Sequence, residues 1–495
     1  MRRRMIAPPK RRTSRGHKKM EAQGTLQSHQ ALEPAQADRP SPPDGSAAKA
    51  PYYATFGNRY LDRQEEIESS ARAYSRRLPF APKSARGTLL WDTDGREYLD
   101  CLSGAGALAL GHNHPVVIEA IHETILSAAP LQTLDFPTPI RDRFIDELFA
   151  ALPPDFAADA KIHFCGPSGS DAIEAAIKLV RSAGAGRGSL LCFHGAYHGM
   201  TMGALSLTGS VAAAASNAGM LDVHFLPFPT AYRCPFGVGG EAGWRANAHY
   251  IESLLDDPNS GAVTPAAVIL EVVQGEGGVN AAPDEWLRAI RDITLRRRIP
   301  LVVDEVQTGF GRTGAMFAFQ HAGITPDVVV LSKALGGGMP LAAIVYKRGL
   351  DQWTPGAHAG TFRGNQLGFA AGAATIRHIR VNQIDRHARE MGDRLMRALV
   401  KVAATQAVIG DVRGRGLMIG VEIVDPAAPT KDGAPPPCSP GIAQKIQRNC
   451  LQRGLIVELG GRSGSVVRFL PPLIVTAEQV DEIAARFDAA MWALD

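Results

Sequence analysis

The sequence predicts an α/β fold with a mostly parallel central sheet covered by helices. Three runs are continuously apolar rather than alternating, as expected for strands that are buried on both faces. They span Ala266–Leu270, Leu301–Val303 and Val328–Leu331, with helix-length segments around them. Ligands of such sheets bind at the carboxyl ends of the strands. We therefore expect the functional site at the carboxyl edge of this sheet.

A chain of 495 residues is longer than one hydrophobic core usually serves. The pattern of the sequence changes near three positions, and these give the predicted division. Residues 111–375 would form the large domain. A smaller α+β domain would combine residues 51–110 with residues 376–495, and residues 1–50 would be a disordered tail rich in basic residues, Ala and Pro.

Several further elements of the two outer segments are predicted from periodicity and turn residues. A charged stretch resembling a helix is followed by two short strands around an Asp94-Gly95 turn, and the C-terminal segment alternates helices with strands. The predicted elements are a helix within Leu61–Arg77, a hairpin within Gly87–Asp100, a helix over Ile384–Val400, strands over Leu417–Ile423 and Val466–Leu470, and a final helix from Ala477.

The net charge of +4 arises from the start of the chain. Residues 1–20 carry nine Lys and Arg and no acidic residue, which leaves 44 basic against 49 acidic residues in the remainder. Such a run could bind nucleic acid, but its prolines and glycine prevent a regular amphipathic helix. We expect a solvated tail and keep nucleic-acid binding as the rival hypothesis from another class.

Composition excludes several other classes of protein. Hydrophobic residues make up 45% and charged residues 21% of the chain, and no apolar run reaches the length of a transmembrane helix. The six cysteines are scattered, which indicates neither a disulfide framework nor a zinc site and suits the cytoplasm. The pairs His112/His114 and His194/His198 lie among glycines, so we expect packing and no metal.

The stretch Lys161–Val180 indicates a possible phosphate site. An alternating strand leads through a Gly-Pro-Ser-Gly-Ser turn into an amphipathic helix. Free amides at the start of that helix, together with the hydroxyls of Ser168 and Ser170, could hold a phosphate dianion. The alternative is an ordinary helix cap, because Ser and Asp are favoured there in any case.

Two charged residues follow neighbouring apolar runs. Asp304 ends the run at Leu301–Val303, and Lys333 follows Val328–Leu331. Adjacent strands lie about 4.8 Å apart, so the acid and the amine would face one crevice. The alternative is a structural ion pair. The acidic pair at Asp304 is similar to a Walker B element, but the chain has no Gly-Lys pair, so an ATPase is not expected.

A carboxylate, a lysine and a phosphate site at one sheet edge suggest pyridoxal 5′-phosphate as the cofactor. This cofactor needs an amine for a Schiff base, an acid beside its pyridine nitrogen and an anion site for its phosphate. Six ordered motifs then carry a resemblance to class III aminotransferases, the fold-type I pyridoxal-phosphate enzymes: SGSDAIEAAIKL, AYHGMT, ILEVVQGEGG, VVDEVQTGFGRTG, LSKALGGGMPLAA and GTFRGNQL.

The resemblance extends from about Pro51 to the C-terminus, and finer details are similar to the diaminobutyrate–2-oxoglutarate branch. It implies a homodimer with active sites at the interface. It also implies that Lys333 forms the Schiff base and moves the substrate proton, and that Asp304 pairs with the pyridinium. The other cofactor-binding residues that it implies are Gly169 and Ser170 at the phosphate, Thr361 reaching the phosphate from the second subunit, Gln307 at the ring hydroxyl, Tyr197 stacked on the ring, His198 and Glu271.

Substrate choice would depend on Glu276 and Arg468. The resemblance implies that they pair when a diamine reacts, and that the arginine takes the α-carboxylate of glutamate or 2-oxoglutarate after the acid moves away. Many members have arginine where this chain has Met200, and its absence is typical of the diaminobutyrate branch. We expect interconversion of L-2,4-diaminobutyrate plus 2-oxoglutarate with L-aspartate 4-semialdehyde plus L-glutamate. The alternatives are an ornithine- or lysine-type ω-aminotransferase and an amino-acid racemase.

Overall fold

The computed structural model describes residues 58–184, 186–209, 221–430 and 433–494. The predicted basic tail lies outside these residues. Seventeen strands are found in the described part of the chain. They are β1 Pro82–Arg86, β2 Leu89–Asp92, β3 Glu97–Asp100, β4 Ala160–Phe164, β5 Leu190–Phe193, β6 Val223–Leu226, β7 Ala267–Glu271, β8 Val273–Gln274, β9 Asn280–Ala281, β10 Leu301–Asp304, β11 Val328–Leu331, β12 Ala343–Lys347, β13 Ile409–Arg415, β14 Met418–Ile423, β15 Leu455–Ile456, β16 Glu458–Gly460 and β17 Val466–Phe469.

The central sheet has seven strands in the order β4-β12-β11-β10-β7-β5-β6. Strands β11, β10, β7, β5 and β6 run parallel to one another, and only β12 pairs antiparallel with both of its neighbours. The predicted mostly parallel sheet is therefore confirmed. All four residues of β10 and of β11 are buried, which is why their sequences are continuously apolar up to Asp304.

Helices cover both faces of this sheet. On β10, Val302 packs in one hydrophobic cluster with the helix Gly169–Ala183, whereas Leu301 and Val303 pack in a second cluster. The α-helices of the described residues are Arg59–Ile67, Tyr74–Arg77, Ser103–Gly106, Pro115–Leu126, Pro139–Ala151, Pro154–Ala158, Gly169–Ala183, Met202–Ser206, Gly240–Asp256, Asp284–Arg296, Gln366–Val381, Ile384–Ala403, Pro440–Gln452 and Ala477–Met491. No helix in this part of the chain is both long and apolar enough to cross a membrane.

Two four-stranded sheets lie in the outer segments. One has the order β1-β2-β3-β15 and contains the predicted hairpin, while the other has the order β13-β14-β17-β16. Because β15 lies far along the chain from β3, the first sheet joins the two outer segments of the sequence. The predicted division at residues 111 and 376 stays a prediction.

The predicted helix over Leu61–Arg77 is wrong in one respect, because two helices form, Arg59–Ile67 and Tyr74–Arg77. The break contains Ser69, whose hydroxyl accepts a hydrogen bond from the backbone N–H of Ala71 at 3.2 Å. Such local bonds compete with the backbone bonds of a helix. The C-terminal helices and strands agree with their predicted positions to within a few residues.

Candidate active site

Three charged residues meet at the carboxyl edge of the central sheet. Glu271 ends β7 and Asp304 ends β10, and the two residues are direct partners in the parallel register. Lys333 follows β11, the neighbour of β10 on the other side, and starts a short 3₁₀ helix that ends at Gly336. Their meeting at one edge agrees with the crevice expected from the sequence.

Lys333 is partly buried and is surrounded by charged residues. Burial lowers the pKa of its amine below the usual value, with opposing influences from Glu276, Asp304 and Glu271. Its backbone has a positive φ of 49°, an uncommon conformation for a residue other than glycine. Such conformations cluster at functional sites, where the surrounding structure enforces them. The backbone conformation of Lys333 is thus a sign of a functional site that is independent of its charge.

Asp304 is buried and holds two hydrogen-bonding partners. Its Oδ2 atom lies 2.7 Å from Nδ1 of the fully buried His198, and its Oδ1 atom accepts the backbone N–H of Val306 at 2.9 Å. Burial opposes a charge on the His198 ring, but Cys192 and Asp304 outweigh it, so the pKa of His198 lies well above its usual value. The short contact with the His198 ring fixes the orientation of the Asp304 carboxylate.

Glu271 holds two loops at the sheet edge through backbone hydrogen bonds. Its carboxylate accepts the backbone N–H of Tyr197 at 3.0 Å and that of Gly275 at 2.9 Å. Burial raises the pKa of Glu271 to about 7, with a further contribution from Asp304. The residue thus sets the position of Tyr197, whose own side chain is 38% exposed at the site.

The turn before the helix Gly169–Ala183 has features of an ordinary helix cap and of an anion site, the two interpretations made from its sequence. Ser168 is the N-cap, and its hydroxyl accepts the backbone N–H of Asp171 at 3.2 Å. Ser170 lies in the first turn, where its hydroxyl accepts the backbone N–H of Met200 at 3.2 Å. Gly199 passes so close that a Cβ atom there would collide with Ser170 Oγ, so the turn needs glycine. The first-turn amides remain suited to an anion.

Gln307 lies in the loop after β10 and is 8% exposed. Its amide nitrogen donates to the carbonyl of Ala105 at 3.1 Å. Its amide oxygen is buried and has no hydrogen-bond partner within the described residues. A buried acceptor without a partner is costly, and a ligand that donates a hydrogen bond would satisfy it.

Arg468 is a fully buried cation that contacts two carboxylates. Its Nη2 atom lies 2.7 Å from Glu276 Oε1 and 2.7 Å from Glu458 Oε2. Burial disfavours the guanidinium charge, but both acids raise the pKa of Arg468 above its usual value. Gly460 makes room for this side chain, because a Cβ atom at that position would lie 2.7 Å from Arg468 Nε. Arg468 and Glu276 therefore meet as expected from the sequence.

Two sequence-predicted positions lie at the surface of the protomer. Thr361 begins the 3₁₀ helix Thr361–Gly364 and is exposed, as is the neighbouring Phe362. The side chain of Met200 is also exposed, at 62%. In this chain the position therefore offers no charge to a ligand.

Glu458 and Tyr74 were not predicted from the sequence. Glu458 is 2% exposed, and burial together with the nearby carboxylate of Glu458 raises the pKa of the Tyr74 hydroxyl above its usual value. The signal in the sequence was a single acid in the apolar stretch from Leu455 to Leu459, two residues before Gly460, the glycine that accommodates Arg468. An acid in an otherwise apolar strand requires a partner.

The chain is similar to known proteins over most of its length. The family model described as aminotransferase class-III matches residues 70–491. A diaminobutyrate–2-oxoglutarate aminotransferase from Rhizobium meliloti is 54% identical over 432 residues, which are 87% of this chain and 92% of that protein. The protein of the same name from Haemophilus influenzae is 48% identical over 433 residues, 86% of this chain and 94% of that protein.

Solved structures have the same fold. An amine transaminase from an uncultivated Pseudomonas species, in its PLP-bound form, superposes with a TM-score of 0.76 at 28% identity and covers 87% of this chain and 98% of its own. An (S)-enantioselective ω-transaminase from Thermomicrobium roseum gives a TM-score of 0.78 at 26% identity, with 88% and 98% covered. From the family match and these relatives we conclude that the chain belongs to the class-III aminotransferases.

Proposed function

We propose that the protein binds pyridoxal 5′-phosphate and catalyses transamination between L-2,4-diaminobutyrate and 2-oxoglutarate. The products would be L-aspartate 4-semialdehyde and L-glutamate, and the reaction could run in either direction. The observation that carries this proposal is the meeting of four charges around one lysine. The amine of Lys333 is close enough to Glu276, Arg468, Asp304 and Glu271 for each of them to affect its pKa. The names of the two bacterial relatives support the choice of substrates.

The residues at the sheet edge fit this cofactor. Asp304 has acceptor capacity left on both oxygens, which suits a protonated ring nitrogen. The unpartnered oxygen of Gln307 suits a ring hydroxyl. The amides around Gly169 and the hydroxyl of Ser170 suit a phosphate, and Tyr197 offers an exposed aromatic face. Each of these contacts remains a proposal.

The protein's own residues would then supply positioning and proton transfer. When bound, the cofactor supplies a carbonyl that captures amines and a ring that accepts electrons. Lys333 would hold the substrate proton and return it, and its lowered pKa places its neutral form closer to physiological pH. Asp304, held in position by His198, would stabilise positive charge on the ring nitrogen.

Arg468 and Glu276 would admit two kinds of substrate in turn. While Arg468 and Glu276 are paired, the guanidinium is not available to a diamine. The distal amine of the diamine can then reach the reacting position. Glutamate and 2-oxoglutarate carry an α-carboxylate, which would displace Glu276 and bind Arg468 with two hydrogen bonds. The side chain of Glu276 is 32% exposed and can therefore move, whereas that of Arg468 is fully buried and fixed.

We also infer a homodimer in which Thr361 completes the phosphate site of the partner. Thr361 and Phe362 lie exposed on the protomer, although the threonine motif resembles a cofactor-binding sequence. A residue that acts across a subunit interface must be exposed on its own protomer.

An amino-donor panel tests the proposed function. The purified protein, supplied with pyridoxal 5′-phosphate and 2-oxoglutarate, is given L-2,4-diaminobutyrate, ornithine, lysine and single amino acids, and glutamate is measured. We expect diaminobutyrate to give the highest kcat/KM. A preference for ornithine or lysine would reassign the donor. Inversion of an amino acid's configuration without glutamate formation would indicate a racemase and refute the proposal.

A further inference from the structure

The guanidinium of Arg468 is shared between two acids that differ in burial. Both ion pairs use the same nitrogen, Nη2, at 2.7 Å. The side chain of Glu458 is 3% exposed, whereas that of Glu276 is 32% exposed. One acid is therefore enclosed in the protein, and the other faces the site where the substrate would lie.

The sheet holds Glu458 in this position. Glu458 on β16 and Arg468 on β17 are direct partners in the antiparallel register, so their side chains lie on the same face. Tyr74 of the N-terminal segment lies near Glu458, and burial and this carboxylate raise the pKa of its hydroxyl. The ion pair fixes the acid, because moving it would leave a buried carboxylate without its partner and the buried guanidinium with Glu276 alone.

The charges of the ion pairs at Arg468 do not balance, apart from Lys333, whose amine would be joined to the cofactor in the proposed function. Glu276 and Glu458 supply two carboxylates against the single guanidinium of Arg468. Since Glu458 offsets the positive charge from the buried side, the partly exposed carboxylate of Glu276 keeps much of its negative charge toward the site. A cationic group that approached Glu276 would be attracted, and more strongly than in bulk water because this side chain is only 32% exposed.

We propose that Glu458 is a specificity-determining residue that selects donors with a second, non-reacting ammonium group. It acts through Arg468 and does not need to contact the substrate. This inference rests on the proposed function, in which the distal amine of a diamino acid reacts while its α-ammonium remains charged. The α-ammonium would then bind near Glu276. Burial raises the pKa of Glu458, and the neighbouring Arg468 opposes that rise, with a smaller opposing influence from Lys333.

A pair of donors isolates the effect. 4-Aminobutyrate is L-2,4-diaminobutyrate without the α-amino group, so the ratio of their kcat/KM values measures recognition of that group alone. We expect Glu458→Gln to lower this ratio about tenfold, because one nearby charge is removed. The kcat/KM for glutamate in the other half-reaction should stay within about threefold, since Arg468 remains to bind its α-carboxylate. Glu458→Asp restores the charge and should recover most of the ratio.

The outcomes separate this inference from the proposed function. If the wild-type protein converts diaminobutyrate but Glu458→Gln lowers both donors equally, or changes neither, the inference is wrong and the proposed function stands. If the wild-type protein does not convert diaminobutyrate, the proposed function is wrong. The same ratio is then measured with ornithine and 5-aminopentanoate, which differ by the same α-amino group. Should Glu458→Gln fail to fold, Tyr74→Phe removes the hydroxyl near Glu458 and should shift the ratio in the same direction.

Discussion

His198 Nδ1 and Asp304 Oδ2 lie 2.7 Å apart in a buried pair at the carboxyl end of β10. The histidine fixes the position of the aspartate, which is the group that we propose to face the cofactor's ring nitrogen. We expect Asp304→Asn to lower kcat by about 10³-fold, since it removes a charge preorganised for the reaction. Steady-state kinetics with saturating cofactor measures the loss. His198→Asn keeps the carboxylate and should cost less, and equal losses in the two variants would argue against the separate roles.

Lys333→Ala should remove both the covalent attachment of the cofactor and the proton carrier. We expect turnover to fall by at least about 10³-fold and the visible absorption band of the bound cofactor to disappear. Borohydride reduction of the wild-type protein followed by peptide mapping should place the label on Lys333. Lys347→Ala, which alters an amine paired with Asp327 at 2.9 Å, is the matched control. Full activity in Lys333→Ala would refute the assignment.

Glu276→Ala should affect the two half-reactions unequally. Without Glu276 the guanidinium of Arg468 stays open, which suits glutamate and leaves the diamine without its negative partner. We expect kcat/KM for diaminobutyrate to fall about tenfold, and that for glutamate to change by less than about threefold. Single-turnover measurements of each half-reaction provide the comparison. Equal losses would rule out the exchange of partners at Arg468.

Mixed dimers test whether Thr361 acts across the subunit interface. We expect Thr361→Ala to weaken cofactor binding about tenfold, because one hydrogen bond to a charged phosphate is lost. A dimer of one Thr361→Ala subunit and one Lys333→Ala subunit would contain one complete site and one doubly altered site. At limiting cofactor, the mixed dimer should regain activity that neither parent shows. No recovery on mixing the subunits would argue that Thr361 serves its own chain.

Glu305 predicts a pH dependence of stability. It is fully buried, accepts hydrogen bonds from Thr308 and Phe319, and has its pKa raised by burial from 4.5 to about 7. Between these values the folded protein binds more protons than the unfolded chain, so the free energy of unfolding falls as pH rises. Across this pH range, Glu305 lowers the free energy of unfolding by about 3 kcal/mol in total.

Glu305→Gln should remove this contribution. From about pH 5 to about pH 8 the variant should lose less stability than the wild type, as measured by denaturant or thermal midpoints. Glu66→Gln, at an exposed position, is the control and should follow the wild type. Parallel pH curves for Glu305→Gln and the wild type would show that Glu305 does not titrate in this range.

The central sheet and its edge were predictable because their signals are local. Buried parallel strands have continuous apolar runs in their sequences. A charged residue directly after such a run must therefore lie at the sheet edge. Asp304 and Lys333 both follow this rule. Their roles as cofactor contacts came from the resemblance and remain to be tested.

The missed features depend on distant parts of the chain. Glu458 becomes intelligible only when the antiparallel register places it opposite Arg468, and Tyr74 reaches it from a segment almost 400 residues earlier. The break between the first two helices depends on a hydroxyl bonding to its own backbone, which competes with the helical pattern. Neither effect has a periodicity that could be read from the sequence.

The location of Arg468 on β17 also has a consequence for the order in which the protein is made. This strand is flanked by β14 and β16, so all three must be synthesised before the arginine is held in place. Lys333 leaves the ribosome much earlier. A nascent or truncated chain that ends before β17 thus contains the proposed amine-reactive lysine and lacks the arginine that we propose to discriminate among substrates.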